Sequence, residues 1–156
     1  MKNYSLFIFY FLCNLLFGQE KPNYPKVPDN YKRVDFILPK IDDNQKYLVE
    51  ITFSKIANVV NCANANFILD KSDIKTGYGI PPSRFQYYII EVEDLMITQG
   101  FNIGCNNKDP KEPKKIYSTY KFMEEYNSTF IQPYYIPEDW NLEYKIYKAE
   151  TDFTTF

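Results

Sequence analysis

The sequence predicts an all-β domain, an antiparallel β-barrel or sandwich of about eight short strands with long loops, on three observations. Aromatic residues make up 19% of the 156-residue chain, with 15 Tyr and 13 Phe, side chains that suit a pleated, half-buried surface. Runs of period two recur along the chain and are broken by Gly, Pro and Asn. No long stretch carries the period of an amphipathic helix. The length fits one domain that can bury a core of its own.

The chain opens with Met1-Lys2 and an apolar run from Leu6 to Phe17, interrupted by Asn14 and followed by Gly18-Gln19-Glu20. A basic start, a short apolar centre and a small residue before polar sequence are the anatomy of a secretory signal peptide, so residues 1–18 are expected to be removed. The run is too short for a membrane span, which needs about 20 apolar residues. Residues 19–156 then form the mature domain. Gln19 to Asn30 holds Pro22, Pro25 and Pro28 and is expected to lie on the surface as an extended arm.

Strands are predicted in order. Val34, Phe36 and Leu38 alternate with Asp35 and Ile37 before Pro39 ends the run. Tyr47, Val49, Ile51 and Phe53 alternate with Leu48, Glu50 and Thr52, and Ile56–Cys62 and Phe67–Leu69 are two further short candidates. Lys71 to Arg84, with Gly77, Gly79, Pro81 and Pro82, reads as a long loop. Phe85 to Val92 is apolar on both faces and reads as a central strand. Leu95 to Cys105 carries almost no charge, and its Gly100 and Gly104 argue for an exposed loop. Lys115 to Phe122 and Phe130 to Ile136 are strands separated by a polar turn at Met123–Ser128. After the break at Pro137-Glu138-Asp139, Leu142, Tyr144 and Ile146 mark the last strand.

Net charge is −2, and the one basic cluster, Lys108, Lys111, Lys114 and Lys115, is interleaved with Asp109, Pro110, Glu112 and Pro113. That reads as a solvated turn and argues against a nucleic-acid groove. The chain has no histidine, which removes the usual base of Ser and Cys hydrolases and the commonest zinc ligand. The acid pairs Asp42/Asp43, Glu93/Asp94, Glu124/Glu125 and Glu138/Asp139 fall in turn-like places and read as solvated, so no catalytic residue, metal set or cofactor is assigned. Gly77-Tyr78-Gly79 lacks the third glycine and helix of a phosphate loop. Asn127-Ser128-Thr129 matches a glycosylation sequon and reads as turn chemistry. Cys13 leaves with the signal, so Cys62 and Cys105 remain for an oxidising compartment. A disulfide between them would stabilise the fold by on the order of 4 kcal/mol; two buried thiols are the other reading, and both stay open on these grounds.

One series of motifs runs from Tyr126-Asn127-Ser128 through Pro137-Glu138-Asp139 to Tyr144-Lys145-Ile146-Tyr147-Lys148-Ala149-Glu150. Tyr24-Pro25 with Lys32-Arg33, Val60-Asn61-Cys62, Gly77-Tyr78-Gly79 and Tyr87-Tyr88 precede it. In this order and spacing the motifs resemble the ecotin family of secreted bacterial inhibitors of trypsin-fold serine proteases, with insertions around Pro81–Phe85 and before Cys105.

The resemblance implies a β-barrel-like fold, a periplasmic location, a Cys62–Cys105 disulfide and a trypsin-fold serine protease as partner. It implies a reactive loop of Gly100, Phe101, Asn102, Ile103 and Gly104 just before the second cysteine. The residue entering the protease's main pocket falls three before that cysteine, on Asn102, where the family has Met. Counting from Tyr87-Tyr88 gives Gly100, and a slip of one residue gives Phe101; the cysteine register favours Asn102. The resemblance also implies a homodimer through the C-terminal strand, with Tyr147 and Phe153 in the contact. A second protease contact falls on Tyr78 and Gly79 and on Glu125, Tyr126, Asn127 and Ser128. The competing reading is a secreted Tyr-rich β-domain that binds glycan or peptide without inhibiting anything. Neither reading involves nucleic acid, a membrane after signal cleavage, or enzymatic activity.

Overall fold

The computed structural model describes residues 23–80 and 85–150. The expected signal peptide and Phe153 lie outside the described residues, as does the 81–84 segment of the insertion. Among the described residues ten strands follow one another: β1 Tyr31–Phe36, β2 Tyr47–Val60, β3 Ala63–Phe67, β4 Ile74–Tyr78, β5 Gln86–Ile90, β6 Ile97–Phe101, β7 Lys111–Ser118, β8 Phe122–Glu125, β9 Gln132–Pro137 and β10 Trp140–Lys148. The all-β expectation holds, with short 3-10 turns at Asn44–Lys46 and Lys71–Asp73.

Two sheets form, one in the order β1-β9-β5-β4 and one in the order β10-β2-β7-β3-β6, with β8 added beside β2. Most pairings are antiparallel, but β5 runs parallel to β9 at Tyr88–Tyr134, and β3 parallel to β7 at Asn66–Tyr117. Between the sheets sit the inward rows of the strands. Ile51, Phe53, Phe67, Ile90, Tyr134 and Ile136 are fully buried, and the indole of Trp140 lies against Phe67 at 4.5 Å and Phe53 at 6.1 Å. The arm before β1 is held on the four-stranded sheet. Tyr135 donates its hydroxyl to the Pro25 carbonyl at 2.9 Å, and the Arg33 guanidinium stands over Tyr24, itself edge-on to Tyr87.

The strand count differs from the expected eight for physical reasons. Tyr47–Phe53 and the expected Ile56–Cys62 strand as far as Val60 are parts of one 14-residue strand, because the intervening Ser54 is buried with its hydroxyl satisfied by Glu143 Oε1 at 2.5 Å. The expected long loop of 71–84 contains β4. Gly77 sits inside it because the ring of Tyr87, directly opposite in β5, fills the space a side chain would need. The expected loop of 95–105 contains β6, an edge strand paired with β3; much of it is exposed, so the alternation that marks a strand is missing from the sequence. Most of the expected lysine turn, from Lys111 on, is β7, where Pro113 is tolerated because β2 is the strand paired with it there. The expected polar turn at 123–128 begins as β8, whose Phe122, Glu124 and Tyr126 row points inward.

Candidate functional site

The loop before Cys105 is built from an edge strand and a tight turn. β6 runs antiparallel to β3, with Phe101 opposite Ala63 and Gly100 opposite Asn64. It stops at Phe101, and the next four residues reverse the chain. The Cys105 N–H donates to the Asn102 carbonyl at 3.0 Å, and Gly104 takes φ +84°. A glycine in the left-handed region at the third position of such a turn is the pattern of type II. Ile103 stands at the corner and is the most exposed large apolar side chain described, at 108% relative exposure. Phe101 is about half exposed, while the Asn102 side-chain amide turns back to donate to the Cys62 carbonyl at 3.4 Å.

Three attachments fix this tip to the turn between β2 and β3. Cys62 and Cys105 form the expected disulfide, closing a separation of 43 residues. The Val60 N–H donates to Gln99 Oε1 at 2.9 Å, and the Asn102 amide supplies the third. Beyond Cys105 the chain makes a second braced turn, in which Asp109 accepts from the Asn106 N–H at 2.8 Å and from its amide at 3.2 Å. Cys62, Cys105 and Asp109 lie within 4.8 Å of one another, but the two sulfurs are bonded to each other and offer no thiolate to a metal.

The other predicted contact residues gather elsewhere. Tyr78 ends β4 and is 66% exposed. Gly79 is buried, its N–H donating to the Phe85 carbonyl at 2.8 Å. Glu125 and Asn127 are exposed. Tyr126 is 4% exposed, packs on Tyr47 and donates its hydroxyl to the Pro39 carbonyl, so most of its ring serves the core. Asn127 Oδ1 accepts the Thr129 N–H at 2.9 Å, the Asx turn read from the sequon residues. Tyr78, Glu125, Tyr126 and Asn127 line one groove of about 1250 Å³, together with Phe85 and Phe130.

Sequence reasoning missed Glu124. The sequence reads it with Glu125 as a solvated acid, but strand alternation turns Glu124 inward, opposite Val49, and leaves Glu125 exposed, and both line the groove. Burial raises its carboxyl above the usual range, opposed by hydrogen bonds from Gln132 and Tyr88. The Tyr88 hydroxyl, pushed up to about 12 by burial and by Glu124, lies 3.4 Å from Glu124 Oε1. Tyr88 stacks on Tyr134, whose buried hydroxyl has no partner among the described residues. The signal available in the sequence was the continued alternation of Phe122, Glu124 and Tyr126.

At the far side of the larger sheet, β10 pairs with β2 on one side and is the sheet's edge on the other. Tyr144, Ile146 and Tyr147 are exposed along it, and Tyr147 donates to Glu50 Oε2 at 3.1 Å. No helix among the described residues is long and apolar enough to cross a membrane.

A family model described as Ecotin matches residues 20–149 of the chain. No curated protein matches it significantly.

Proposed function

The chain belongs to the ecotin family of serine protease inhibitors, and from that premise we propose that the tip between Gly100 and Gly104 is its substrate-like reactive site for a trypsin-fold protease. The observation that carries this reading is the asymmetry of the tip. A free strand edge, β6, leads up to Asn102, and a turn and a disulfide lie immediately after it. The strand edge can add backbone hydrogen bonds to a protease as an extended segment does. The turn and the Cys105 tether lie on the leaving side of the Asn102–Ile103 bond. An amine released by attack there would stay in place and re-form the peptide. Attachment of the loop before binding lowers the ordering cost of association.

Asn102 is the proposed primary residue, with Phe101 and Gly100 as the alternative registers, and Ile103 follows the bond. Tyr78, Gly79, Glu125, Asn127 and Ser128 form the proposed second contact, to which Tyr126 lends its position in the backbone. The proposed homodimer uses the free edge of β10, including Tyr147. It would let two sites act on one target through effective concentration, which tolerates a primary residue as unspecialised as asparagine. Export to the periplasm through residues 1–18 completes the reading.

Titration of the mature protein against trypsin, chymotrypsin and elastase tests it directly. Inhibition of at least one is expected, and none at micromolar concentration removes the general inhibitor reading in favour of a binding domain. Asn102→Arg is expected to raise trypsin inhibition, because arginine suits trypsin's acidic pocket. No increase means that the register is wrong. Sedimentation tests the dimer, and a monomer at all concentrations removes it.

A further inference from the structure

The groove beside Tyr78 contains an acid that hydrogen bonds from Tyr88 and Gln132 hold but no described cation neutralises. Glu124 belongs to the inward row of β8, between Phe122 and Tyr126, in a position where the strand's period calls for an apolar side chain. Its neighbours on the groove wall are largely aromatic and aliphatic: Tyr78, Phe85, Val49 and Phe130. Phe85 and Phe130 face each other across 6.4 Å, and both are exposed. Among the described residues the groove is lined by two carboxylates, Glu124 and Glu125, and by no lysine or arginine. The described salt bridges leave Glu124 without a cation, whereas Glu50 and Glu143 on the other face of the larger sheet are held by Lys121 and Lys115.

We propose that this groove receives a lysine or arginine side chain of the bound protease, with Glu124 as its acceptor and Phe85, Phe130 and Tyr78 around its stem. The proposal rests on the reading of the chain as a protease-binding inhibitor and names the chemistry of its second contact. A carboxylate half withdrawn from water and facing no opposite charge among the described residues gains more from a cation than a solvated one does. Long basic side chains lay their methylene stems on apolar surface while the charged head finds an acceptor, and aromatic faces add attraction of their own. The raised carboxyl of Glu124 fits a group waiting for such a partner. Tyr88 donates to the same carboxylate from below and holds it in position.

The test uses the full mature chain and two short acetylated peptide amides, one with arginine between leucines and one with norleucine in its place. Binding is followed by NMR through the signals of Tyr78, Phe85, Glu124 and Phe130. The arginine peptide is expected to shift these signals saturably and to bind roughly tenfold more tightly than the norleucine peptide, the scale of one charge-assisted hydrogen bond. Glu124→Gln, checked for an unchanged spectrum elsewhere, is expected to abolish the difference, while Glu138→Gln, exposed and outside the groove, preserves it. Equal binding of the two peptides, no binding, or an arginine preference that survives Glu124→Gln each overturns the proposal. Binding that appears only in Arg84→Ala assigns the carboxylate to the chain's own guanidinium and also overturns it. No protease enters this experiment, so failure here and failure of the inhibitor reading are separate results.

Discussion

The N–H of Cys105 donates to the carbonyl of Asn102 at 3.0 Å, so the disulfide residue itself closes the turn that follows the proposed scissile position. One residue therefore fastens the tip twice, through its backbone and through its sulfur. The conformation on the leaving side of the bond is fixed locally, and this can be tested one residue at a time.

Gly104 carries φ +84°, where a side chain is strained whatever space surrounds it, whereas a Cβ on Gly100 would meet the Asn64 carbonyl at an ordinary 3.8 Å. Gly104→Ala is expected to cost about 1 kcal/mol and to weaken inhibition; Gly100→Ala is expected to change stability by only a few tenths. Urea unfolding and protease titration of the two variants check the pair, and equal effects would remove the turn's role.

Replacing both Cys62 and Cys105 with serine is expected to lower stability by on the order of 4 kcal/mol. The local consequence is more specific: amide exchange in β6 should accelerate more than in the inward part of β2, because β6 is an edge strand held by β3 and the tether. Under the proposed mechanism this variant is cut by a target protease and released, which mass spectrometry of the reaction detects.

Gly77→Ala would bring a new Cβ to 2.2 Å from the ring of Tyr87. That ring cannot swing away freely, since Tyr135 packs at 5.4 Å and Tyr24 at 6.2 Å from it. A loss of about 1–3 kcal/mol is expected, the usual cost of overpacking. Combining it with Tyr87→Ala should recover part of that loss in a double-mutant cycle, and strict additivity would show that the ring is not the obstacle.

Glu124 has a carboxyl raised above its ordinary value of 4.5 by burial. The sign follows: the folded state prefers the protonated acid, so its relative stability is present below the unfolded value and lost as pH rises through the folded one. Glu124→Gln should therefore gain on the wild type between about pH 4 and about pH 7. Reading the difference between the two proteins removes the opposite contributions. These come from Glu50, lowered by its hydrogen bond from Lys121, and from Glu143, where burial is outweighed by hydrogen bonds from Lys115 and Ser54. Urea unfolding at both pH values gives the answer, and a gap independent of pH would refute the buried acid.

The sequence by itself determined the all-β class, because the apolar rows at Val49-Ile51-Phe53 and Leu142-Tyr144-Ile146 repeat with the period of a strand. The cysteine count left a disulfide and two free thiols open, and motif order carried the family and with it the Cys62–Cys105 pairing. The edge strands β4 and β6 were hidden, since each exposes much of both faces and holds a glycine where the sequence reads a break. Their pairing is decided by what lies opposite: a tyrosine ring over Gly77, an Asn-rich strand beside Gly100. Tertiary structure alone drew Tyr126 into the core and separated Glu124 from Glu125. It also gathered residues from β4, β8 and the segment before β9 around one groove. A period of two says that neighbours face opposite ways, but only the partner sheet decides which of those ways is inside.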